Sequence, residues 1–398
     1  MNKLYAFILF FPLVCLGRFG YPGAGTMASG TWHYLSLGWL VNPGDSARAY
    51  CHEGEEKKNA GNYIEAITCF DKAIEFDSSS AQAYLNRAFC KNKLMDYQGA
   101  LNDYTRALLH SKSWEESLEA YYNRGLTLAL LQNFQDAMYD FDYAIKISPR
   151  YADAYFNRSI VKGKMGDYEG GLNDMNKVIA LRPADPYAYN SRGIIRSIIG
   201  DYQGALGDFS QAIQITDTNS WFYFNRAVVY YEIRDYDASL KDFNMAIQLH
   251  PDADTYNRRG TVKYLMGDLR GAFDDYSSAV KADPQYHFAY LNRGYVGYDM
   301  GGYHSAIDDY TITLRLKPDC AVAYYNRGLA KAKLGDHAGE IEDYTLAIEY
   351  KPDYEDAYYR RGLARYETGD RKGGCDDLNK AVKLGSNMAY EFLVVHCK

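Results

Sequence analysis

AYYNRG, residues 323–328, is the stretch whose reading decides the fold, because it comes back along almost the whole chain. Its first tyrosine, Tyr324, has counterparts at Tyr50, Tyr84, Tyr121, Tyr155, Tyr189, Tyr223, Tyr256, Tyr290 and Tyr358. These ten tyrosines lie 34 residues apart, except for one gap of 37 and one of 33. A fixed period of this size marks an array built from one repeated supersecondary unit.

With the tyrosine placed fourth, the units begin at residues 47, 81, 118, 152, 186, 220, 253, 287, 321 and 355. The eighth slot is small in all ten units, as at Gly54, Ala88, Ser159 and Gly328. The twentieth is small in nine, the exception being Glu340. The twenty-fourth is large, as at Phe70, Tyr104, Met175 and Tyr344. Pro149, Pro183, Pro251, Pro284, Pro318 and Pro352 fill the thirty-second. Small residues at slots eight and twenty let two helices approach closely, and large ones at four and twenty-four fill the space beside them. A Gly-Asp pair such as Gly200-Asp201 makes the turn between them, since Gly ends a helix without a side-chain penalty. Proline closes the unit because it cannot continue a helix. Each unit is then a helical hairpin that buries its apolar face only against its neighbours. Glu340 predicts a local splay of the ninth hairpin.

Slot seven is Arg in nine units and slot twenty-three is Asp in the same nine, including Arg293 with Asp309 and Arg327 with Asp343. The first unit has Glu53 and Cys69 there, so both members are lost together. One slot lies on each helix. The pattern predicts a partly buried Arg–Asp pair within or between hairpins, and the matching acids argue for internal use over capture of an acidic ligand.

Of the 398 residues, 47% are hydrophobic and 24% charged, enough apolar content for a packed core. The net charge of −7 disfavours nucleic acid or an acidic membrane surface as the main partner. Lys3 is followed by an uncharged, largely apolar run over residues 4–17, short for a bilayer span. This is the pattern of a secretory signal cleaved after Gly17, with an uncleaved anchor or a buried strand as the alternatives. Residues 18–46, rich in Gly and aromatics, read as an irregular leader. The chain is therefore expected to be exported, to the periplasm or cell surface of a bacterial envelope.

The repeat resembles the tetratricopeptide repeat (TPR) family over residues 47–386, with Tyr in place of the usual Trp at slot four and Arg in place of the usual Leu at slot seven. The resemblance implies an all-α, right-handed α-solenoid of ten hairpins with a concave groove. Residues 387–398 read as a capping helix. In this family slots two, five, six, nine, twelve and thirteen line the groove. That assignment makes Asn86, Asn123, Asn157, Asn225, Asn292 and Asn326, all at slot six, a row able to bond the backbone of an extended chain. The row is similar to the asparagine ladder in the TPR superhelix of O-GlcNAc transferase; the alternative is that each Asn satisfies a neighbour or faces water. Tyr122, Phe156, Phe224 and Tyr325, at slot five, would add aromatic contacts. A chaperone-tail clamp is excluded, because no Lys stands at slot five and no Asn at slot nine.

Cys375 and Cys397 come level across the turn near residues 385–386 if the cap is antiparallel to the preceding helix, so a disulfide can staple it. Cys51, Cys69 and Cys90 fall on adjacent helices, where one further pair or none forms. The eight histidines are scattered, and no metal-ligand spacing, nucleophile elbow or phosphate loop is present. The expectation is a non-enzymatic scaffold for a protein or peptide partner. It has no cofactor, no metal, no small-molecule substrate and no nucleic acid. The alternative is an assembly component that oligomerises through its ends or convex face.

Overall fold

The computed structural model describes residues 43–397, and there the chain forms twenty-one helices, from α1 (Pro43–Asn59) to α21 (Asn387–His396), with no strand among the described residues. The proposed signal at residues 1–17 and most of the leader lie outside the described residues. No described helix is long and apolar enough to cross a membrane. The chain divides into two compact bodies, Met1–Ile215 and Thr216–Lys398. The first holds α1 to α10 (Tyr202–Ile215); the second runs from α11 (Ser220–Glu232) to α21. In each body every helix packs on the next in sequence, and in several places the first helices of successive hairpins also touch. Both bodies are stacks of the hairpins expected from the period.

The ninth unit shows how the sequence builds one hairpin. Its helices are α17 (Ala321–Lys333) and α18 (His337–Tyr350). Gly335 closes α17 at φ +76, and the Asp336 carboxylate then accepts the Gly339 amide at 2.9 Å, capping α18. The same Asp cap recurs at Asp96, Asp167, Asp201, Asp235, Asp268 and Asp370. The fifteenth slot is left-handed in all ten units, and three of them hold a side chain there: Met95, Gln132 and Arg234, at φ 60–64. A left-handed non-glycine residue is strained by roughly 1–2 kcal/mol. Gln132→Gly and Arg234→Gly are therefore each expected to raise stability by about 1 kcal/mol after the entropy cost of glycine. Unchanged or lower urea midpoints in both variants would contradict this.

Slots eight and twenty-four meet inside each hairpin. A Cβ on Gly328 would lie 2.7 Å from the Tyr344 ring, and one on Gly54 2.6 Å from Phe70. No larger residue fits without moving the ring. Where slot eight is Ser159, its hydroxyl donates to the Gly171 carbonyl at slot twenty (2.8 Å); at Ser239 the bond runs the other way, to the Ala227 carbonyl. The expected splay at Glu340 does not occur. The ninth hairpin keeps the Gly328–Tyr344 contact, and Glu340 is buried with its carboxylate 2.8 Å from His337 Nδ1. The long, flexible side chain leads its charge out to the turn, where it holds His337 above the usual histidine range.

Three further details differ from the expected pattern. Helix α1 begins at Pro43, so residues 43–46 are helical and not part of an irregular leader. Proline is well placed there because the first helical amides have no partner to lose. The three extra residues before the third unit lengthen its first helix, α5 (Trp114–Leu130), which Ser113 caps by accepting the Glu116 amide. The slot-four tyrosines are mostly half-buried rather than core. Each of Tyr84, Tyr121, Tyr155, Tyr189, Tyr223, Tyr256, Tyr290, Tyr324 and Tyr358 lies beneath the arginine three residues on, with the guanidinium carbon 5.4–5.9 Å from the ring centroid.

Candidate functional site

The slot-seven arginines are fully committed inside the protein. In all nine units Nε and Nη2 donate to the two carboxylate oxygens of the same hairpin's Asp at 2.6–3.0 Å, including Arg293 to Asp309 and Arg327 to Asp343. This is the bidentate geometry in which Arg bonds a carboxylate most strongly. The third nitrogen reaches the preceding hairpin at slot twenty-five. Arg87 Nη1 donates to Asp71, Arg192 to Asn176, Arg259 to Asn244 and Arg327 to Thr311. One guanidinium thus joins the two helices of its own hairpin and ties that hairpin to its neighbour.

The nine pairs are not equivalent. In six units a second cation at slot eleven also holds the Asp, as Lys331 holds Asp343 at 2.9 Å and Arg365 holds Asp377 at 2.9 Å. Slot eleven is Leu128 beside Asp140 and Gly297 beside Asp309. Burial pushes both of these carboxyls above the usual Asp value despite their arginines.

Slots five and six face the seam between successive first helices more than open solvent, which corrects several residues of the expected groove. Tyr122, Phe156 and Phe224 are buried. Tyr122 packs 4.9 Å from Tyr151 and 6.2 Å from Phe141; Phe224 packs 5.8 Å from Phe243. Tyr325 is half-buried between Tyr344 and Tyr354, at 5.8 and 5.0 Å. Tyr122, Phe224 and Tyr325 each pack on the slot-twenty-four ring of their own hairpin, and Phe156 belongs to the core cluster of Met175.

The asparagines divide accordingly. Asn86 is buried, accepting from Lys58 Nζ (2.6 Å) and donating to Glu55 (2.9 Å), both in the preceding unit. Asn157 is buried and donates to the Tyr122 hydroxyl (3.1 Å) and the Asp153 carbonyl (2.9 Å). Asn292 donates to Asn257 Oδ1 of the preceding unit at 2.8 Å. Asn225 is half-buried and is also engaged. Asn123 and Asn326 are half-buried, and their amide groups make no hydrogen bond among the described residues. A uniform, open ladder is therefore not what these six form. Attention to asparagine also missed two arginines at slot six. Arg258 bonds Asp254 (2.9 Å) and lies over the Phe224 ring, whereas Arg360 is exposed and stacks on Tyr359. The signal was available as the residue type at that slot.

At the end of the second body a disulfide joins Cys375 on α20 (Arg371–Leu384) to Cys397, with Cα atoms 5.8 Å apart. Cys51, Cys69, Cys90 and Cys320 are free, so no second pair forms among the first three. Burial pushes the Cys51 and Cys90 thiols up to about 11, which leaves them largely protonated and unreactive at neutral pH. Among the described residues no group of three or more His, Cys, Asp or Glu is placed to hold a metal ion.

Profiles of the family described as tetratricopeptide repeat match residues 47–80, 93–152, 152–185, 222–253, 291–355 and 356–384. The chain is 37% identical over 62 residues to the Tetratricopeptide repeat protein 36 homolog of Nematostella vectensis. It is 30% identical over 63 residues to the Small glutamine-rich tetratricopeptide repeat-containing protein of Dictyostelium discoideum. Each match takes in 16% of this chain, and 34% and 19% of the respective relatives, so only a few repeats are shared. Among solved structures, a tetratricopeptide repeat protein from Parabacteroides merdae aligns with a TM-score of 0.51 and 18% identity, over 64% of this chain and 99% of that one. That likeness is one of fold. With matches to this repeat running from residue 47 to residue 384 and hairpins of the same period in both bodies, the chain belongs to the tetratricopeptide repeat family.

Proposed function

We propose that this protein is a non-enzymatic interaction scaffold that holds an extended segment of a protein partner along the first-helix faces of its hairpins. One observation carries the reading. In a molecule whose slot-seven arginines and their aspartates are paired internally, Asn123 and Asn326 keep amide groups with no bond among the described residues. A primary amide offers a donor and an acceptor together, the pair an extended backbone needs. We also propose that the chain is exported. A structural disulfide supports this, since such bonds persist in oxidising compartments.

The test is a pull-down from envelope extract with the wild type beside Asn123→Ala/Asn326→Ala. Neither change touches a bond that holds the fold, so both proteins should melt alike. The expected result is a partner captured by the wild type and reduced at least tenfold by the double variant. A partner retained equally by both sinks the reading. Mass spectrometry of the same preparation reads the mature N-terminus, expected at Arg18; retention of Met1 excludes cleavage there.

A second reading, assembly through the chain's end, is favoured by α21. Its outward residues Met388, Tyr390, Val394 and Val395 are exposed, although a terminal cap ordinarily turns a polar face to water. The asparagine variant would leave such assembly intact.

A further inference from the structure

The first body contains a cavity of about 250 Å3 between α7 (Ala152–Lys164), α8 (Tyr168–Leu181) and α9 (Pro186–Ile198). Its floor is Met175, Ile195 and Ser159, all buried. Its mouth lies at the exposed turn residues Lys164, Met165 and Gly166. Two residues particular to the fourth unit create it. Met175 stands where eight of the ten units have an aromatic ring. Gly163 is the one glycine at slot twelve. A Cβ on Gly163 would meet no heavy atom within 4 Å, so the missing volume is real room. The Ser159 hydroxyl is already bonded to the Gly171 carbonyl, leaving the floor without a free donor.

Protein interiors are close-packed, and an apolar space of this size forfeits contacts on every wall unless something enters it. Cavities lined by aliphatic side chains stay dry and accept apolar guests. Gly163 and Lys164, with Ser191 of the next unit, occupy slots that line the groove face of this family, so the mouth opens beside the surface proposed to hold the partner segment. Ser191 replaces the larger slot-six asparagine at that point.

The geometry points to a side-chain pocket for an aliphatic residue of the Leu, Ile or Met class on the bound segment. This rests on the scaffold reading above and adds to it a sequence preference that the asparagines cannot supply.

The probes are N-acetyl-leucine methylamide and N-acetyl-glycine methylamide, titrated into the full chain and read by saturation-transfer NMR. Leu binding is expected to exceed Gly binding at least tenfold, and Gly163→Leu is expected to reduce the Leu probe to the Gly level. Gly163→Leu replaces a helical glycine by a good helix former in open space, so its melting point should hold or rise and a lost signal is not unfolding. Equal binding of the two probes, or undiminished Leu binding by Gly163→Leu, overturns the pocket. Neither Asn123 nor Asn326 lines the cavity. A Leu-selective cavity with no captured partner therefore overturns the scaffold reading alone. A captured partner indifferent to Gly163→Leu overturns the pocket's role alone.

Discussion

Arg293→Leu is expected to destabilise the second body by about 3–5 kcal/mol, the range for stranding one member of a buried pair. The loss at Arg327→Leu should be smaller. Asp343 keeps Lys331 at 2.9 Å after that change, whereas Asp309 has Gly297 at the corresponding slot and keeps no second cation among the described residues. Adding Asp309→Leu to Arg293→Leu should recover most of the loss, because desolvation offsets much of what the intact pair contributes. Urea midpoints of the two single variants and the double variant decide it. If both singles melt alike, the second cation is irrelevant; if the double variant is no better than Arg293→Leu, the pairing carries no energy.

The same site predicts a direction with pH. Burial already holds Asp309 above 3.8 in the wild type, because desolvation disfavours the charged form, and the hydrogen bond to Asp309 holds Arg293 above its own usual range. A carboxyl raised on folding contributes stability that is present below its unfolded value and lost as pH rises through the folded one. Arg293→Leu removes the donors that favour the anion, so its folded value rises further. The deficit of the variant should therefore shrink as pH falls toward about 4 and reach its full size near neutrality. A deficit independent of pH would show that the carboxylate is relieved by water instead.

Cys375→Ser is expected to loosen α21 by about 3 kcal/mol, the chain-entropy value for a bond closing a loop of this length. The bond spans 22 residues. What remains on the inner side of the helix is modest: Ala389 is buried, and Phe392 sits edge-on to Tyr366 at 5.3 Å. Hydrogen exchange should show α21 losing protection first, with the helices of the eighth hairpin unchanged, and reduction of the wild type should give the same pattern. Full protection of α21 after reduction would mean that packing alone holds the cap. The outward row of Met388, Tyr390, Val394 and Val395 makes the variant a probe of the assembly reading too, since an end-to-end interface would protect the helix without the disulfide.

The hairpin was legible because its determinants are local and repeated. Gly335 and Asp336 set a turn and a cap within three residues, and the Gly328–Tyr344 contact crosses one short turn. The pairing of Arg327 with Asp343 could be read because the two types vanish together in the first unit. Glu340 misled because residue size was read without side-chain length: a carboxylate at the end of a flexible chain can leave a tight slot that a ring cannot.

The face proposed to hold a partner was much less legible. Asn123 and Asn157 occupy the same slot, each between an aromatic residue and an arginine, yet the Asn157 amide is bonded to Tyr122 and buried while that of Asn123 is not. The difference lies in the preceding unit: Asn157 finds the Tyr122 hydroxyl at slot five there, 35 residues away, and what slot five of that unit offers varies from repeat to repeat.

The sequence by itself determined the period, the all-helical hairpin, the paired charges and the residues able to close a cap, because each depends on spacing within a unit of about 34 residues. Only the tertiary structure decided which slot-six amides stay open, which aromatics fill the seam, and that an apolar cavity lies between the fourth and fifth units. Those properties arise where two hairpins meet. Burial and unmet hydrogen bonds belong to the pair of surfaces in contact, and no single repeat contains both.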